Sequence, residues 1–311
     1  GFCGRDGTLR GASVVVGGRY ELRELLAVGR TGFVYRGRHR ILGKPVAVKV
    51  LRPGLSKDPE QVRKILHQAR LRSQVQHDNI CNVIDFGRDS EGTLYLAMEL
   101  LTGTTVADRL TREGSLDARR ARSILRQICR ALAAAHAAGV THRDLSPRNV
   151  FLTVQSGRED VVKLLDFGVA RARERAHTSG DAMASTPYAA PELLSSTHGS
   201  AGPGSDLYSL GVIAHELVTG QLPFTSLTKS ALVVEKLGGA SPALDAVEPG
   251  LAELITRCLA ADPAQRPRSA AEVEQLLRAP RTTPGAAGTD TLDDLLGATA
   301  GSYTLIRLLG K

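Results

Sequence analysis

The sequence is poor in aromatic side chains. Its 311 residues include six tyrosines, six phenylalanines and no tryptophan. Because proteins that bind single-stranded nucleic acids usually stack the bases on aromatic rings, this scarcity argues against a nucleic-acid partner. The sequence also lacks an uninterrupted apolar run of about eighteen residues, which a transmembrane helix requires. We therefore expect neither nucleic-acid binding nor a membrane-spanning segment in this chain.

Cysteine is also scarce, and its spacing does not suit metal binding or cross-linking. The four cysteines, Cys3, Cys81, Cys129 and Cys258, lack the C-x-x-C spacing of zinc sites and the density of a disulfide framework. Three of them stand among apolar residues and are expected to be small core side chains. The sequence begins at Gly1 without a signal-peptide pattern. We therefore interpret the chain as a cytoplasmic fragment.

The charge is positive, with 40 lysines and arginines against 32 acidic residues, a formal net charge of +8. Such a balance can favour an anionic ligand or partner. Much of it comes from RRARSILRQICR, in which Ile124, Leu125, Ile128 and Leu132 form an apolar helical stripe. The arginines then lie on the opposite face, which we interpret as a solvated helix surface rather than a nucleic-acid groove.

Two regions of different periodicity make up the central part of the chain. In residues 18–101, segments such as KPVAVKVL and TLYLAMELL predict strands, with one helical pattern inserted between them. In residues 102–279, helical patterns dominate and end at glycines or proline-containing turns. The sequence thus predicts an α+β domain at 18–279, with a small strand-rich lobe followed by a larger helical lobe.

The segments outside this domain have the composition of linkers. Residues 1–17 are interpreted as an N-terminal tail. Their FCGRDGT stretch resembles the closing knuckle of a zinc ribbon, but one cysteine cannot hold the metal. Residues 280–301 are rich in Pro, Gly, Ala and Thr and are expected to form a solvated linker, with a short docking helix at DTLDDLLG as the alternative.

Three short motifs carry groups suited to phosphoryl transfer from ATP. VAVK places Lys49 on a strand, where its ammonium group could bind two nucleotide phosphates. HRDLSPRN supplies the carboxylate of Asp144 and, five positions later, the amide oxygen of Asn149. DFG supplies Asp166 as a ligand for a hard cation. These motifs occur in the order that the reaction requires, followed by APE at 190–192. A second DFG, at 85–87, has no such context, and a turn at a strand end suffices to explain it.

Together these motifs resemble the protein kinase family, most closely the eukaryotic-like serine/threonine kinases of bacteria, over residues 20–277. The resemblance implies the bilobal protein-kinase fold, with ATP and Mg²⁺ (or Mn²⁺) as cofactors. It also implies that Asp206 is a buried anchor and that Arg266 pairs with Glu192. Because small-molecule kinases of related fold are expected to lack the segments around Asp206 and Arg266, we expect protein substrates. Pro147 matches serine/threonine rather than tyrosine kinases, so the resemblance implies that serine and threonine residues are phosphorylated.

The resemblance assigns roles to the matching positions. Asp144 would accept the proton of the substrate hydroxyl, and Lys49 would hold the α- and β-phosphates. Asn149 and Asp166 would bind magnesium. The nucleotide would contact Ala27, Val28, Gly29, Gly32, Val34, Ala47, Met98, Glu99, Leu101 and Phe151.

Four positions depart from the family pattern. Ala27 replaces the first glycine of the nucleotide loop, which is tolerable if φ is negative. Gln68 stands where a glutamate should pair with Lys49, and we expect the weaker bond to cost about 1–2 kcal/mol. Ser146 replaces a lysine near the catalytic aspartate. It can bond a phosphate or a hydroxyl but brings no charge, and losing such a contact often lowers rates about 10²–10³-fold. Ser185 replaces a threonine but keeps the hydroxyl.

Further positions concern the alignment of the lobes. The resemblance implies that His142 and Phe167 pack in an internal spine, with Gly168 as a flexible joint. Arg72 stands where an apolar spine residue is expected, so the helix that carries it is either shifted by one residue or weakly held.

The activation segment offers a regulatory site. Arg143, beside the catalytic aspartate, would be free to pair with a phosphate on Thr178 or Ser179. An unmodified segment is the alternative interpretation.

These features leave two main functions open. The first is an ATP- and magnesium-dependent protein serine/threonine kinase of low to moderate activity. The second is a pseudokinase, a nucleotide-binding domain that regulates a neighbouring kinase domain. A basic nucleic-acid-binding or scaffolding protein has only the net charge in its favour.

An internal repeat bears on the second function. GRYELRELLAVG, from Gly18, resembles GSYTLIRLLGK, from Gly301, and Tyr20 and Tyr303 differ by 283 positions (303 minus 20). We therefore interpret residues 302–311 as the first strand of a truncated second kinase domain, which would supply the neighbour.

Overall fold

The structure of the chain is a computed structural model. It describes residues 3, 7–9, 14–29, 31–55, 59–155, 157–166, 186–194, 201–238, 244–278, 299–300 and 303–304. The chain divides into two compact units, Gly1–Arg278 and Ala279–Lys311.

The N-terminal part of the first unit is an antiparallel sheet of six strands in the order β1-β2-β3-β4-β6-β5. The strands are β1 (Val14–Val16), β2 (Tyr20–Val28), β3 (Gly32–His39), β4 (Pro45–Leu51), β5 (Val83–Arg88) and β6 (Leu94–Glu99). Helix α1 (Pro59–Ser73) lies between β4 and β5 in the chain, where the helical pattern predicted it.

The two faces of this sheet have different environments. On β4, Val46, Val48 and Val50 belong to one buried apolar cluster, whereas Ala47 belongs to another. This separation follows from the strand geometry, because successive side chains point to opposite faces. Lys49 therefore shares a face with Ala47, and we call this the inner face.

The opposite, outer face is covered by N-terminal residues. Strand β1 pairs with β2, Leu9 packs against the outer apolar cluster, and the Gly7 carbonyl accepts a hydrogen bond from Tyr35 Oη. The interpretation of residues 1–17 as a tail is therefore wrong for 7–9 and 14–16. Those residues cover apolar surface that would otherwise be exposed, which their own composition does not reveal.

The helical part of the first unit follows the sheet. Its helices are α2 (Val106–Glu113), α3 (Ala118–Ala137), α4 (Pro191–Leu194), α5 (Pro203–Thr219), α6 (Lys229–Leu237), α7 (Pro249–Cys258) and α8 (Ala270–Arg278). A second antiparallel sheet contains β7 (Gly103–Thr105), β8 (Val150–Gln155) and β9 (Arg158–Leu164). The predicted α+β organisation is confirmed. Within the described ranges, no helix combines the length and apolarity needed to cross a bilayer.

Helix α3 begins at the N-cap Asp117, whose side chain accepts a hydrogen bond from the backbone N–H of Arg120. Its predicted apolar stripe is confirmed, because the following residues are all buried in the main core: Ile124, Leu125, Ile128 and Leu132.

The arginines of α3 do not simply face solvent. Arg120 binds Asp160 at 2.6 Å and Glu113 at 2.8 Å, and two further arginines bind Glu274 of α8: Arg126 and Arg130. The predicted surface position holds, since Arg126 is 35% and Arg130 is 43% exposed, but the face also carries ion pairs that were not predicted. Asp160 and Glu274 lie far away in sequence, so periodicity alone could not reveal them.

In the second unit, β10 (Thr299–Ala300) pairs antiparallel with β11 (Tyr303–Thr304). Most of the predicted linker at 280–301 and of the predicted strand at 302–311 lies outside the described residues.

Candidate active site

Lys49 and Asp166 form the closest charged contact of the site. Lys49 lies on β4 with Val34 and Leu96 as its partners on the neighbouring strands, and its side chain is only 4% exposed. Its Nζ donates a hydrogen bond to Asp166 Oδ2 at 2.6 Å. Because an isolated buried ammonium group is costly, this carboxylate compensates for the burial of Lys49.

Asp166 is held in an unusual backbone conformation. It follows β9 after one residue and has a φ of +55°, in the left-handed region that aspartate tolerates better than most residues. The preceding residue, Leu165, donates its N–H to the carbonyl of Asn149. The turn at the end of β9 therefore joins Asp166 to the loop that carries Asn149.

Asp206 holds the loop that carries Asn149 in place through hydrogen bonds to its backbone. Its carboxylate accepts hydrogen bonds from the backbone N–H groups of His142, at 2.8 Å, and Arg143, at 2.7 Å. His136 Nε2 lies 2.8 Å from the same carboxylate. Arg143 has a φ of +64°, a strained conformation for this residue type. The predicted burial of Asp206 is confirmed, and the structure shows that it holds the strained loop in place.

His142 connects the loop with the end of β9. It is fully buried, its Nε2 lies 3.0 Å from the Leu165 carbonyl oxygen, and its Nδ1 accepts the N–H of Asp144 at 3.4 Å. Both contacts are satisfied when the imidazole proton is on Nε2. His142 thus positions the chain segments that present Asp144 and Asp166.

The loop also determines which atoms of Asn149 remain available. Asn149 Nδ2 donates to the backbone carbonyl of Asp144 at 2.7 Å, so the amide oxygen points away from this bond and can serve as a cation ligand. Ser146 is only 4% exposed and directly precedes a short 3₁₀ turn at 147–149. Its contact with a phosphate stays a prediction.

An apolar cluster lies on the inner face of the first sheet. Ala47, Cys81 and Met98 form a buried cluster, and the residues packed against it include Val34 and Leu101. Four of the positions predicted to contact the nucleotide base are thereby brought together. Phe151 lies on β8 opposite Thr105 and Lys163 and is half-buried.

Cys81, which its apolar neighbours in the sequence predict to be a core residue, also belongs to this inner-face cluster. Burial raises the pKa of its thiol to about 12, so the side chain is neutral and contributes apolar surface.

Glu99 has a second set of contacts that sequence analysis missed. Its Oε1 accepts the backbone N–H of Asn82 at 2.8 Å and the ammonium group of Lys163 at 2.9 Å. These bonds fix the end of β6, where the chain passes to the helical part. The spacing between these residues gives no signal for the contacts, because Lys163 lies on a distant strand.

The glycine-rich loop follows β2. Gly29 donates its N–H to the Gly32 carbonyl at 2.8 Å, and a Cβ at Gly32 would lie 2.2 Å from the Val50 carbonyl oxygen. Gly32 is therefore sterically required. Ala27, together with Val28, belongs to β2, and Ala27 has no positive φ. The expectation that a methyl group is tolerated at 27 is confirmed.

Several predicted residues have no described side-chain position. Gln68 and Arg72 lie on α1, but their side chains are outside the described part of the structure. The described ion-pair partner of Lys49 is Asp166, and a Lys49–Gln68 contact stays a prediction. The following positions also lie outside the described residues: Phe167, Gly168, Thr178, Ser179 and Ser185.

A buried ion pair supports the helical part beyond the active loop. Arg266 donates two hydrogen bonds to Glu192, at 2.7 and 3.0 Å, and Ser205 Oγ donates a third at 2.7 Å. The predicted Arg266–Glu192 pair is present. Burial opposes ionisation of Glu192, but the hydrogen bonds from Arg266 and Ser205 hold its pKa below the ordinary value.

Lys236 anchors the chain just before α4, a role that sequence analysis did not predict. Its Nζ donates to the carbonyl oxygens of Pro187, at 2.7 Å, and Ala189, at 2.6 Å. The side chain is almost fully buried, and this burial lowers the pKa of Lys236 to about 7. The basic residue within the apolar pattern of α6 is the only signal that could have indicated this role.

Comparisons with known proteins agree with this geometry. Residues 20–280 match the protein kinase domain family. The chain is similar to serine/threonine-protein kinase PknA of Mycobacterium tuberculosis, with 38% identity over 281 residues. The match covers 87% of this chain and 64% of PknA, so the chain spans less than two thirds of that relative.

Two solved structures are also similar. The PknI kinase domain of Mycobacterium tuberculosis has a TM-score of 0.67 and 28% identity, covering 86% of this chain and 98% of that domain. Rad53 1–466 in complex with AMP-PNP has a TM-score of 0.67 and 25% identity, covering 81% of this chain and 63% of that one.

Proposed function

The chain belongs to the protein kinase family, and from this premise we propose that it transfers the γ-phosphate of ATP to serine and threonine residues of protein substrates. The observation that carries the proposal is the 2.6 Å contact of Lys49 with Asp166. This contact adjoins the loop that presents Asp144 and Asn149. The PknA relative, a serine/threonine kinase by name, supports the choice of acceptor.

The residues present fit a nucleotide and a divalent cation. The apolar cluster around Ala47 and Met98 offers the kind of surface that an adenine ring contacts, and the similar Rad53 structure holds AMP-PNP, an ATP analogue. No cluster of three or more His, Cys, Asp or Glu side chains suited to metal binding occurs among the described residues. Asp166 and the amide oxygen of Asn149 would therefore hold Mg²⁺ together with nucleotide phosphates and water, an arrangement that this cation favours.

Different side chains of the chain have different roles in the proposed reaction. The Lys49 ammonium group orients the phosphates, and the Asp144 carboxylate orients the substrate hydroxyl and accepts its proton. ATP would supply the phosphoryl group, and Asp166 and Asn149 would hold a magnesium ion whose charge would offset that of the phosphates. Asp206 and His142 act as positioning residues, because they hold the loop without reaching the reacting atoms.

The proposal is tested by phosphate transfer from radiolabelled Mg-ATP to the protein itself or to a generic basic protein. We expect transfer by the 311-residue chain and a loss of about 10³-fold or more in Asp144→Asn, since proton transfer and positioning are both impaired. Asp245→Asn, an exposed carboxylate, is the control. Absence of transfer by the unmodified chain contradicts the proposal.

Regulation of a neighbouring kinase domain is the second candidate function. It is favoured by the hairpin in which Tyr303 pairs with Ala300. At the repeat offset of 283 positions, these residues correspond to Tyr20 and Gly17 (303 and 300 minus 283), at the turn of the β1–β2 hairpin, where Tyr20 pairs with Val16, one position before Gly17. Tight binding of a fluorescent nucleotide without phosphate transfer would support this second function. A cytoplasmic location, where ATP is available, stays a prediction.

A further inference from the structure

The turn between β3 and β4 exposes two large apolar side chains. Ile41 is 85% exposed and Leu42 is 64% exposed. We call residues 40–44 the hairpin tip. Neither side chain belongs to a described core cluster, so folding of the domain does not explain their apolar character.

The hairpin tip is well ordered by its own hydrogen bonds. The carbonyl of His39 accepts a hydrogen bond from the N–H of Gly43 at 2.8 Å, and the N–H of His39 donates one to the carbonyl of Lys44 at 2.9 Å. The N–H of Leu42 donates to His39 Nδ1 at 3.2 Å. Gly43 has a φ of +67°, which this turn requires. The two apolar side chains are thus presented on a fixed turn, at little conformational cost when they bind a partner.

The hairpin tip is fastened to the adjacent strand. The His39 ring contacts the buried Tyr20 ring edge-on, with 5.2 Å between centroids. The N–H of Arg40 donates to the Arg19 carbonyl at 2.8 Å. The turn that joins β1 and β2 therefore lies beside the hairpin tip and supports it.

Basic side chains surround the apolar pair. Arg38, Arg40 and Lys44 are all exposed, and none of them forms an ion pair with the described part of the chain. The acids of nearby strands are already engaged in other salt bridges: Glu21 with Arg23, Glu24 with Arg36, and Asp85 with Arg19. The hairpin tip therefore combines exposed apolar surface with uncompensated positive charge.

We propose that the hairpin tip, together with the adjoining Arg38, binds anionic lipid surfaces, with Ile41 and Leu42 inserted at the interface and Arg38, Arg40 and Lys44 against the headgroups. Apolar insertion combined with basic residues is the pattern of peripheral membrane attachment. Two side chains on a narrow turn offer far less area than the roughly 800 Å² per partner of a stable protein–protein interface. Charge complementarity and small size therefore favour a bilayer over a second copy of the chain.

The position of the hairpin tip is compatible with an accessible nucleotide site. Seven positions separate Ile41 from Val34, which lies next to the glycine-rich loop. Since a strand rises about 3.3 Å per residue, the hairpin tip lies about 20 Å from that loop. A membrane-bound chain can therefore keep its nucleotide cleft open to solvent.

The test measures co-sedimentation of the 311-residue chain with phosphatidylcholine vesicles that contain 30% phosphatidylglycerol. We expect reversible binding that weakens in 0.5 M salt and is absent with phosphatidylcholine alone. The double variant Arg40→Glu/Lys44→Glu should weaken vesicle binding about a hundredfold or more. Each basic residue near an anionic surface strengthens binding about fivefold, and its replacement by an acid both removes that attraction and adds a repulsion of similar size. Ile41→Ser/Leu42→Ser should weaken it about tenfold or more through lost apolar insertion.

Matched controls separate the hairpin tip from general surface properties. Arg119→Glu/Arg158→Glu changes the net charge equally at exposed sites in the helical part, and Val154→Ser/Leu227→Ser removes equally exposed apolar groups. Both controls should bind vesicles like the unmodified chain, and thermal unfolding verifies that every variant is folded.

The proposal is overturned if the anionic vesicles do not bind the chain, or if the control substitutions weaken binding as much as the hairpin-tip substitutions. A hairpin tip that mediates dimerisation in sedimentation velocity, without vesicle binding, also overturns it.

Discussion

The tripeptide Asp-Phe-Gly occurs twice in the chain, and its two aspartates have different surroundings. Asp85 lies within β5 and accepts hydrogen bonds from Arg19, Tyr20 and the more distant Tyr95, at 3.1, 3.1 and 3.4 Å. Asp166 lies beyond the end of β9. Its backbone is left-handed, and its carboxylate contacts the buried ammonium group of Lys49.

The difference shows that the tripeptide does not carry the chemistry by itself. Asp85 is satisfied by two phenol groups and a guanidinium group, and it thereby connects the β1–β2 turn to β5. Asp166 has a partner that would itself bind phosphates, and it adjoins a loop held by Asp206. One aspartate therefore stabilises the sheet, and the other lies at the end of β9 against the buried Lys49, where we propose that it binds a cation.

The largest expected effect distinguishes the two aspartates by activity. Asp166→Asn removes the charge opposite Lys49 and a cation ligand, and we expect phosphate transfer to fall about 10²–10³-fold or more. Asp85→Asn is the matched control, because it makes the same change in the same tripeptide, and it should retain activity within about twofold. Equal losses in both variants would contradict the comparison. The measurement is transfer from radiolabelled Mg-ATP at saturating nucleotide.

The next effect concerns the support of the loop near Asp166. Asp206→Asn leaves one acceptor oxygen for the N–H groups of His142 and Arg143 and places an amide among donors. We expect a loss of about 2–4 kcal/mol in the free energy of unfolding, together with reduced phosphate transfer, since a buried hydrogen-bonded charge is removed.

The control for this variant is Asp117→Asn at the N-cap of α3. Asparagine caps helices about as well as aspartate, so its unfolding free energy should change by only a few tenths of a kcal/mol. Urea unfolding and the transfer assay measure both variants. An Asp206→Asn protein with unchanged unfolding and unchanged transfer is incompatible with an anchoring role.

Much of this site could be predicted from the sequence, because its groups occur within short motifs. Lys49 lies on the expected strand, and Asp206 is buried as predicted. The Glu192–Arg266 pair forms although its members are far apart in the chain. Local patterns sufficed for strand and helix positions, while the family resemblance supplied the long-range pair.

The remaining features depend on surfaces that exist only after folding. Strand β1 has three residues, and its burial comes from the outer face of a sheet assembled from later strands. Three arginines of α3 bind acidic residues on α8 and on β9. Lys236 is stabilised by carbonyl groups of Pro187 and Ala189. Such contacts carry no signal in residue spacing.

A smaller effect tests the structural role of the first tripeptide. Asp85→Ala leaves the hydroxyl groups of Tyr20 and Tyr95 and the Arg19 guanidinium group without their acceptor. We expect a loss of about 1–2 kcal/mol in the free energy of unfolding, since the site is partly buried. Glu91→Ala, an exposed acid in the adjoining turn, should change it by less than about 0.5 kcal/mol. Indistinguishable urea midpoints for the two variants would remove the assigned role of Asp85.

The smallest expected effect is a pH dependence of stability that arises at the contact between Tyr20 and Asp85. The pKa of Tyr20 is raised to about 12, mainly by burial and further by the hydrogen bond to Asp85 and the charge of that residue. An unfolded tyrosine has a pKa of about 10. The folded state therefore retains the proton between pH 10 and 12 while the unfolded state releases it. The contribution of Tyr20 to stability is complete below pH 10 and is lost as the pH rises through this window.

Tyr20→Phe lacks this titration, so its deficit in unfolding free energy should shrink by about 1 kcal/mol between pH 9 and pH 11. Tyrosines that do not contact Asp85 titrate alike in both proteins and cancel in the difference, which urea unfolding at the two pH values measures. A deficit that stays constant would show that the pKa of Tyr20 is not raised in the folded state, which would contradict both the burial of the phenol and its hydrogen bond to Asp85.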